Sequence, residues 1–575
     1  MKRLPALAAA PRRESADPMT RPARPSPATA SLKVPRHDRA VLAVPPLADL
    51  PDLAAANASS FPDALDVQGR TLGQLRAWTR ESVSAAATDY CRTLSGEHGD
   101  PCAGPPEVSR PLIVGGHQPE LFHPGVWAKN FALARVAREA GGVALNLVID
   151  SDLLPGTRVR IPAGTREQPT VRGVPFDADR AGRPWSETRV RDAVLFDSFG
   201  LRLEEDLAPF GLTPLAAAYW RGPGDDLPRL PDRLTAFRRR VERAWGLDNR
   251  EVTIGQVCET DPFGWFVGHL CAHAARFRED YNAALEDYRE REGLDAPNRP
   301  VPPLSAGEEG VELPLWVWRE GEQSRRRVFV RPAGPGRVAL TDGVDAFCEF
   351  PLTESMDACC VVEALRELPG RGIRLRTRAL CTTLFARLCL GDLFLHGIGG
   401  AKYDGVTDGL LSRFFGVEPP GYAAVSATAH LPFADRYGTD PAREVELENT
   451  LRDLRFHPGR HLPDPPPPAA EPLLEEKERL IAAQRDAATH GLTRRERRAR
   501  TPANAARREA FRAVNAGLSR FVAGQVERAE RELARVRREL AADSLLAGRE
   551  FSFALFPEDV LRPFLCGIAE GTVSA

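Results

Sequence analysis

The chain has 575 residues, 43% hydrophobic and 27% charged, with a formal net charge of −2. That length accommodates one large core with insertions, or several domains, and a charge this near balance exerts no overall pull toward nucleic acid or a membrane surface. No apolar run reaches the roughly 18 residues of a membrane-crossing helix, and ten cysteines scattered without a C-x-x-C pair favour reduced thiols in a cytoplasmic protein over a disulfide framework.

In chain order, residues 1–40 are rich in Pro, Ala and Arg and read as a disordered leader. The apolar stretch Leu4–Ala10 is too short, and broken by Pro5, to serve as a signal peptide. Order is expected from Val41, and Leu72–Cys91 has helical spacing. Pro111–Val114 is a short apolar run ending at Gly115-Gly116, the pattern of a buried strand entering a tight turn. Val126–Ala140 sets Phe131, Ala134, Val136 and Ala137 at helical spacing and stops at Gly141-Gly142. Val143–Ile149 is a second buried strand, ending at Asp150-Ser151-Asp152. Strand, helix and strand within about forty residues make a βαβ unit, which predicts an α/β fold with a parallel sheet.

Residues 160–255 and 297–350 read as insertions on a core spanning 41–463. Phe263–Arg291 is expected as one long helix, ended by Pro297, Pro300, Pro302 and Pro303, while Leu313–Trp318 and Arg327–Val330 alternate as strands do. Ala379–Leu390 is helical, Leu393–Leu395 is a third short strand, and His396-Gly397-Ile398-Gly399-Gly400 leads into a helix through Leu410, Leu411, Phe414 and Phe415. Past the proline joint Asp464–Ala469, the segment 464–548 is predicted to be an antiparallel helical hairpin of Leu473–His490 and Ala503–Leu546. Phe511, Val514, Leu518 and Phe521, then Val522, Val526, Ala529, Leu533, Val536 and Leu540, form a narrow apolar seam that needs a helical partner. Residues 549–575, led by Phe551–Phe556, return to the core.

In open parallel sheets, ligands sit outside the carboxyl ends of the strands. Three loops there carry polar residues beyond the needs of a turn. In the first, Gly116 lets backbone approach a ligand, and His117 and Gln118 orient substrate or take a proton. In the second, Asp150 and Asp152 hold an ammonium or a metal ion, or cap the next helix. In the third, His396, Gly399, Gly400, Lys402, Tyr403, Asp404 and Asp408 are candidates for binding a carboxylate or phosphate, with glycines opening a helix and Lys402 adding charge. Neither Walker nor G-x-G-x-x-G spacing is present, so no nucleotide is read from the glycines alone.

Other clusters read as structural. His269 and His273 lack the glutamate of a zinc motif, and His457 and His461 lie in a Pro/Gly loop without thiolate partners. Cys359-Cys360 reads as a buried pair without a base, and the basic run Arg494–Arg500 as a solvated hairpin tip rather than a nucleic-acid contact.

Three motifs carry a resemblance. Ile113–Phe122 (IVGGHQPELF) resembles the G-Q-Q-x-x-L-F segment, Val148–Asp152 (VIDSD) the D-H-D strand end, and Ile398-Gly399-Gly400 the I-G-G loop of the BshC family, the cysteine-adding enzymes of bacillithiol biosynthesis. The similarity spans roughly residues 110–570 as loosely spaced motifs, with the charged hairpin as a further match. It implies a Rossmann-like core with inserted segments, a coiled-coil arm, small-molecule substrates, and ATP or another nucleotide as ligand; apart from the resemblance, the hairpin offers a surface for a homodimer. It also implies a ligase that adds cysteine to the amine of an amino-sugar conjugate. Three positions depart from the family. His117 stands where it has glutamine, Ser151 where it has histidine, and Ala401–Asp404 where it continues P-G-E. A different amine or acid, an amino-acid or nucleotide activating enzyme on the same scaffold, and a non-catalytic assembly protein using the arm remain open alternatives.

Overall fold

A computed structural model describes residues 32–96, 109–165, 168–178, 181–293, 301–433, 437–486, 493–494 and 501–573. The main sheet has six strands: β1 (Val41–Val44), β2 (Leu112–His117), β3 (Val143–Val148), β4 (Arg250–Thr253), β5 (Leu393–His396) and β6 (Ala423–Ala427). Their order across the sheet is β1-β6-β5-β2-β3-β4, with β1 antiparallel to β6 and all other neighbours parallel. The protein is therefore a mixed α/β structure built on a mostly parallel sheet. β2, β3, β5 and β6 read as continuous apolar runs because both faces of the sheet are covered.

One face carries the helix Pro124–Glu139, whose Trp127, Phe131 and Val136 pack with Phe553, Leu555 and Phe564 of the returning C-terminal segment. The other carries Leu72–Ser95, Ala274–Glu292 and Ile398–Arg413, packed through Leu75, Phe277 and Leu410 among others. A second, antiparallel sheet runs in the order Ala346–Pro351, Arg337–Thr341, Arg326–Gly334, Gly310–Arg319, Ile373–Thr377. Among the described residues no helix is long and apolar enough to cross a membrane, and the described cysteines are all free thiols.

The βαβ unit at 112–148, the third strand and the return of Phe551–Phe556 lie where their patterns placed them. Several boundaries move. Residues 1–31 lie outside the described residues, but Leu32 is buried against Tyr422 and Ala424, and Thr428 donates to the Pro35 carbonyl, so the packed chain begins before Val41. The segment 160–255 is not wholly an insertion, because it ends in the edge strand β4. The antiparallel sheet extends past 350 to Thr377. The long helix is interrupted at His273, giving Asp261–Ala272 and Ala274–Glu292, and Ala379–Leu390 changes to a π-turn after Phe385. Cys359 is exposed rather than buried, and hydrogen bonding to Asp357 pushes its thiol up to about 11, which disfavours the thiolate at neutral pH.

In the C-terminal region, Thr501–Leu546 is one helix of 46 residues, about 69 Å long at 1.5 Å per residue. Its first half packs antiparallel on Glu471–Asp486, with Leu473 beside Gly517 and Gln484 beside Arg507. Its second half has a different partner from the expected one. Leu533 and Val536 pack on Leu447 and Leu451 of Ala442–Phe456, and Arg455 pairs with Glu530 at 2.7 Å. The seam is thus shared between two short helices. His490 and residues 495–500 of the basic run lie outside the described residues.

Candidate active site

Leaving β2, the chain crosses toward β3; leaving β5, it crosses toward β6, in the opposite direction along the sheet. The two helices that follow, Pro124–Glu139 and Ile398–Arg413, cover opposite faces. Their loops therefore separate and leave a crevice at the carboxyl ends of β2 and β5, the topological position where open α/β sheets bind ligands. A cavity of ≈ 380 Å³ fills it, lined from the first loop by Gly116, His117 and Gln118. Ser151 and Asp152 line it from the second loop, and His396, Gly399 and Gly400 from the third. The three loops do converge.

Each side chain has an identifiable support. Gln118 Nε2 donates to Asp152 Oδ2 at 2.7 Å, and Arg325 Nη1, just before the second-sheet strand Arg326–Gly334, donates to Asp152 Oδ1 at 3.0 Å and to the Ser151 carbonyl at 2.8 Å. Asp152 is thus already neutralised, and its role is to fix Gln118 and tie the two sheets together. His117 packs edge-on against Phe122, with Nδ1 3.3 Å from the Gln118 carbonyl. A carbonyl only accepts, so Nδ1 carries the proton and Nε2 presents a lone pair. Burial, reinforced by the neighbouring Lys129 ammonium, pulls His117 down to about 3, so the imidazole is neutral throughout the physiological range. His396 is held from beneath: Asp404 Oδ2 lies 3.0 Å from His396 Nε2 and 2.5 Å from Arg387 Nη1. Burial opposes the Asp404 charge, but Arg387 and His396 overcome it and hold the carboxyl well below its usual range. Gly400 is required by this arrangement, since a Cβ there would stand 2.9 Å from His396 Nδ1.

Five expected site residues, Asp150 among them, do not reach the cavity. Lys402 is exposed on the helix beyond Gly400, and Tyr403 packs on Tyr288 with ring centroids 6.1 Å apart. Asp404 and Asp408 are committed to Arg387. One helical turn rotates these residues away, because only the first two or three positions of a helix face the loop that opens it. Asp150 points into a different cavity from Asp152, because both lie in the turn beyond the last β3 residue, Val148, where the alternation that would put positions two apart on one face no longer holds.

The sequence reading missed Lys129, which lines the cavity and is only 5% exposed. Its Nζ donates to the Gly116 carbonyl at 2.7 Å, and no carboxylate pairs with it among the described residues. Burial lowers it to about 8. The signal was present: Lys129 interrupts the apolar stripe Val126, Leu133, Val136, where a charge is out of place unless it has work to do. Arg549, from the return segment, adds a second cation at the wall, 3.3 Å from His123 Nε2. The backbone N–H groups of Ile398, Gly399 and Gly400, at the start of a 16-residue helix capped by no side chain, complete an electropositive surface.

His269 and His273 pack against Phe414, and among the described residues no group of His, Cys, Asp and Glu has metal-binding geometry. His461 pairs with Asp453 at 2.7 Å.

Fold and crevice define a mixed α/β protein with a ligand-sized electropositive cavity at the carboxyl edge of its sheet. No protein-family profile matches the chain, and no curated protein is significantly similar to it.

Proposed function

We propose that the protein is a cytoplasmic carbon–nitrogen ligase, similar to the BshC cysteine-adding enzymes, built on a Rossmann-like core with a coiled-coil arm. It joins cysteine or a related amino acid to the amine of an amino-sugar conjugate. The observation that supports this most is the unpaired Lys129 ammonium, on a cavity wall shared with the Gly399-Gly400 helix start and Arg549. Those groups suit a phosphate or carboxylate. The motifs around Gly116, Asp152 and Gly399 are the ones on which the resemblance rests.

In this reading, a nucleoside triphosphate supplies the activation of the carboxyl group that forms the amide. Lys129, the Ile398–Gly400 backbone and Arg549 hold the leaving phosphate. The acceptor amine attacks the carboxyl carbon, the C–N bond forms and the C–O bond to the phosphate breaks. The neutral His117 Nε2 accepts a hydrogen bond from the amine and relays its proton, and Gln118, held by Asp152, orients the same group. At a pKa near 3, His117 serves better as an orienting acceptor than as a strong base.

Calorimetric titration of ATP and of inorganic phosphate into the wild-type protein and Lys129→Met tests the site. Binding to the wild type, weakened at least about tenfold in the variant, is expected from loss of one charge-assisted contact. Incubation with cysteine, ATP and an amino sugar, followed by mass spectrometry, tests the reaction. Amide product supports the ligase, whereas pyrophosphate exchange without product points to an amino-acid activating enzyme. Absence of anion binding to the wild type would end the proposal.

A further inference from the structure

Asp150 lines a second cavity of ≈ 350 Å³ at the ends of β3 and β4, walled also by Ser186, Arg189, Arg229, Arg374 and Arg376. It adjoins the first. The turn after β3 sends Asp150 into one and Ser151 and Asp152 into the other, and the strand Ile373–Thr377 gives Arg374 and Arg376 to one and Thr377 to the other.

Most of its charges are satisfied internally. Arg229 is bidentate to Asp232 at 2.7 and 2.8 Å, Arg374 pairs with Glu320 at 3.0 Å, and Arg376 Nη2 with Glu259 at 2.6 Å. What remains is specific. Asp150 Oδ1 accepts from Gly255 N at 2.9 Å, but Oδ2 is buried without a hydrogen-bond donor, its nearest cation being Arg229 at 4.0 Å. Ser186 Oγ and Arg376 Nε are likewise buried and unpartnered. Asp150 is 1% exposed and Arg376 4%, so solvent does not satisfy them at the surface. Arg189 has no side-chain partner among the described residues. Leaving the buried Asp150, Ser186 and Arg376 atoms unmade is costly, a ligand that meets them relieves that cost, and the exposed Arg189 adds a cation at the rim.

The unmet set is one carboxylate oxygen, one hydroxyl, the Nε–H of Arg376 and the guanidinium of Arg189. It complements a molecule carrying an ammonium and a carboxylate a few ångströms apart. We propose that this second cavity binds a free α-amino acid, with the ammonium on Asp150 Oδ2 and the carboxylate among Ser186, Arg189 and Arg376. The site rests on its own groups and not on Lys129, and it deepens the ligase reading, which needs a free amino acid; amino-acid binding that survives Lys129→Met separates its outcome from that of the anion site.

The test is titration of the twenty common amino acids, one at a time, into the full chain in buffer free of phosphate and nucleotide. The best binder is then repeated as its N-acetyl and methyl ester derivatives. Saturable binding of at least one amino acid is expected, with each derivative weaker by roughly tenfold or more, the scale of one charged hydrogen bond. Asp150→Asn, which keeps the acceptor for Gly255 N, and Arg189→Ala, at an exposed position that leaves folding intact, should each weaken it on the order of tenfold. No binding by any of the twenty, undiminished binding of the N-acetyl form, or wild-type affinity in both variants would overturn the assignment.

Discussion

Lys129 places function and stability in opposition. Burial depresses the ammonium from 10.5 to about 8, which costs about 3 kcal/mol of folding stability at neutral pH. The sign follows from proton uptake: between pH 8 and 10.5 the unfolded chain binds the proton that the folded chain has lost, so the cost is present below pH 8 and relieved as pH rises. Lys129→Met should therefore raise the thermal midpoint at pH 7 while it loses anion binding, a pairing that a merely structural lysine would not give. For the wild type, anion affinity should fall as pH rises through about 8 and be flat there in the variant, as read by calorimetry. Asp404 is the opposite case. Its depressed folded-state value adds stability above the ordinary carboxyl value of 3.8, lost as pH falls below it. Asp404→Asn leaves the buried Arg387 short of a partner and should cost about 3–5 kcal/mol in urea denaturation at pH 7, narrowing toward acid pH.

Strand and helix contacts explain why some positions admit so little change. At Gly116 a Cβ would stand 2.9 Å from the Leu147 carbonyl of β3, so backbone rather than ligand proximity demands glycine. Gly116→Ala should push β2 from β3, cost about 1–3 kcal/mol and displace His117, seen as a lower thermal midpoint together with weaker anion binding. The elements that were legible are the long apolar ones. β2, the helix after it and β3 follow from apolar patterning, the first two closed by glycine pairs and the last by Asp150-Ser151-Asp152. β4 was not legible, because Arg-Glu-Val-Thr reads as polar surface. Its Glu251 is buried only because Arg238 reaches it at 2.9 Å and Asn146 of β3 donates to the same oxygen, partners no local pattern discloses. The break at His273 is similarly tertiary. The sequence around it is a good helix former, and the turn is set where His269 and His273 close on Phe414.

Across the whole molecule, the cavity is assembled from distant parts: Gly116–Lys129, Ser151-Asp152, His396–Gly400 and Arg549, with Arg325, just before a strand of the second sheet, bracing one wall. The C-terminal helices are held by two small apolar clusters of their own, one around Val514 and Leu518 and one around Leu533 and Val536. Leu518→Ala, at a fully buried position, should cost about 2–5 kcal/mol locally. The expected readout is faster hydrogen exchange in 471–486 and 501–525, with β2, β3 and β5 unchanged; uniform acceleration would show that the helices and the main sheet unfold as one unit.

Hydrophobic periodicity and glycine punctuation alone determined that this chain is an α/β protein and which three loops bound its crevice, because both are properties of neighbours along the backbone. Tertiary structure alone decided which side chains enter the cavity. It turned Asp150 into one space and Asp152 into another, rotated Lys402 to solvent, and sank Lys129 into the wall. Those outcomes depend on the direction of each Cα–Cβ bond relative to elements hundreds of residues away, which spacing along the chain does not encode.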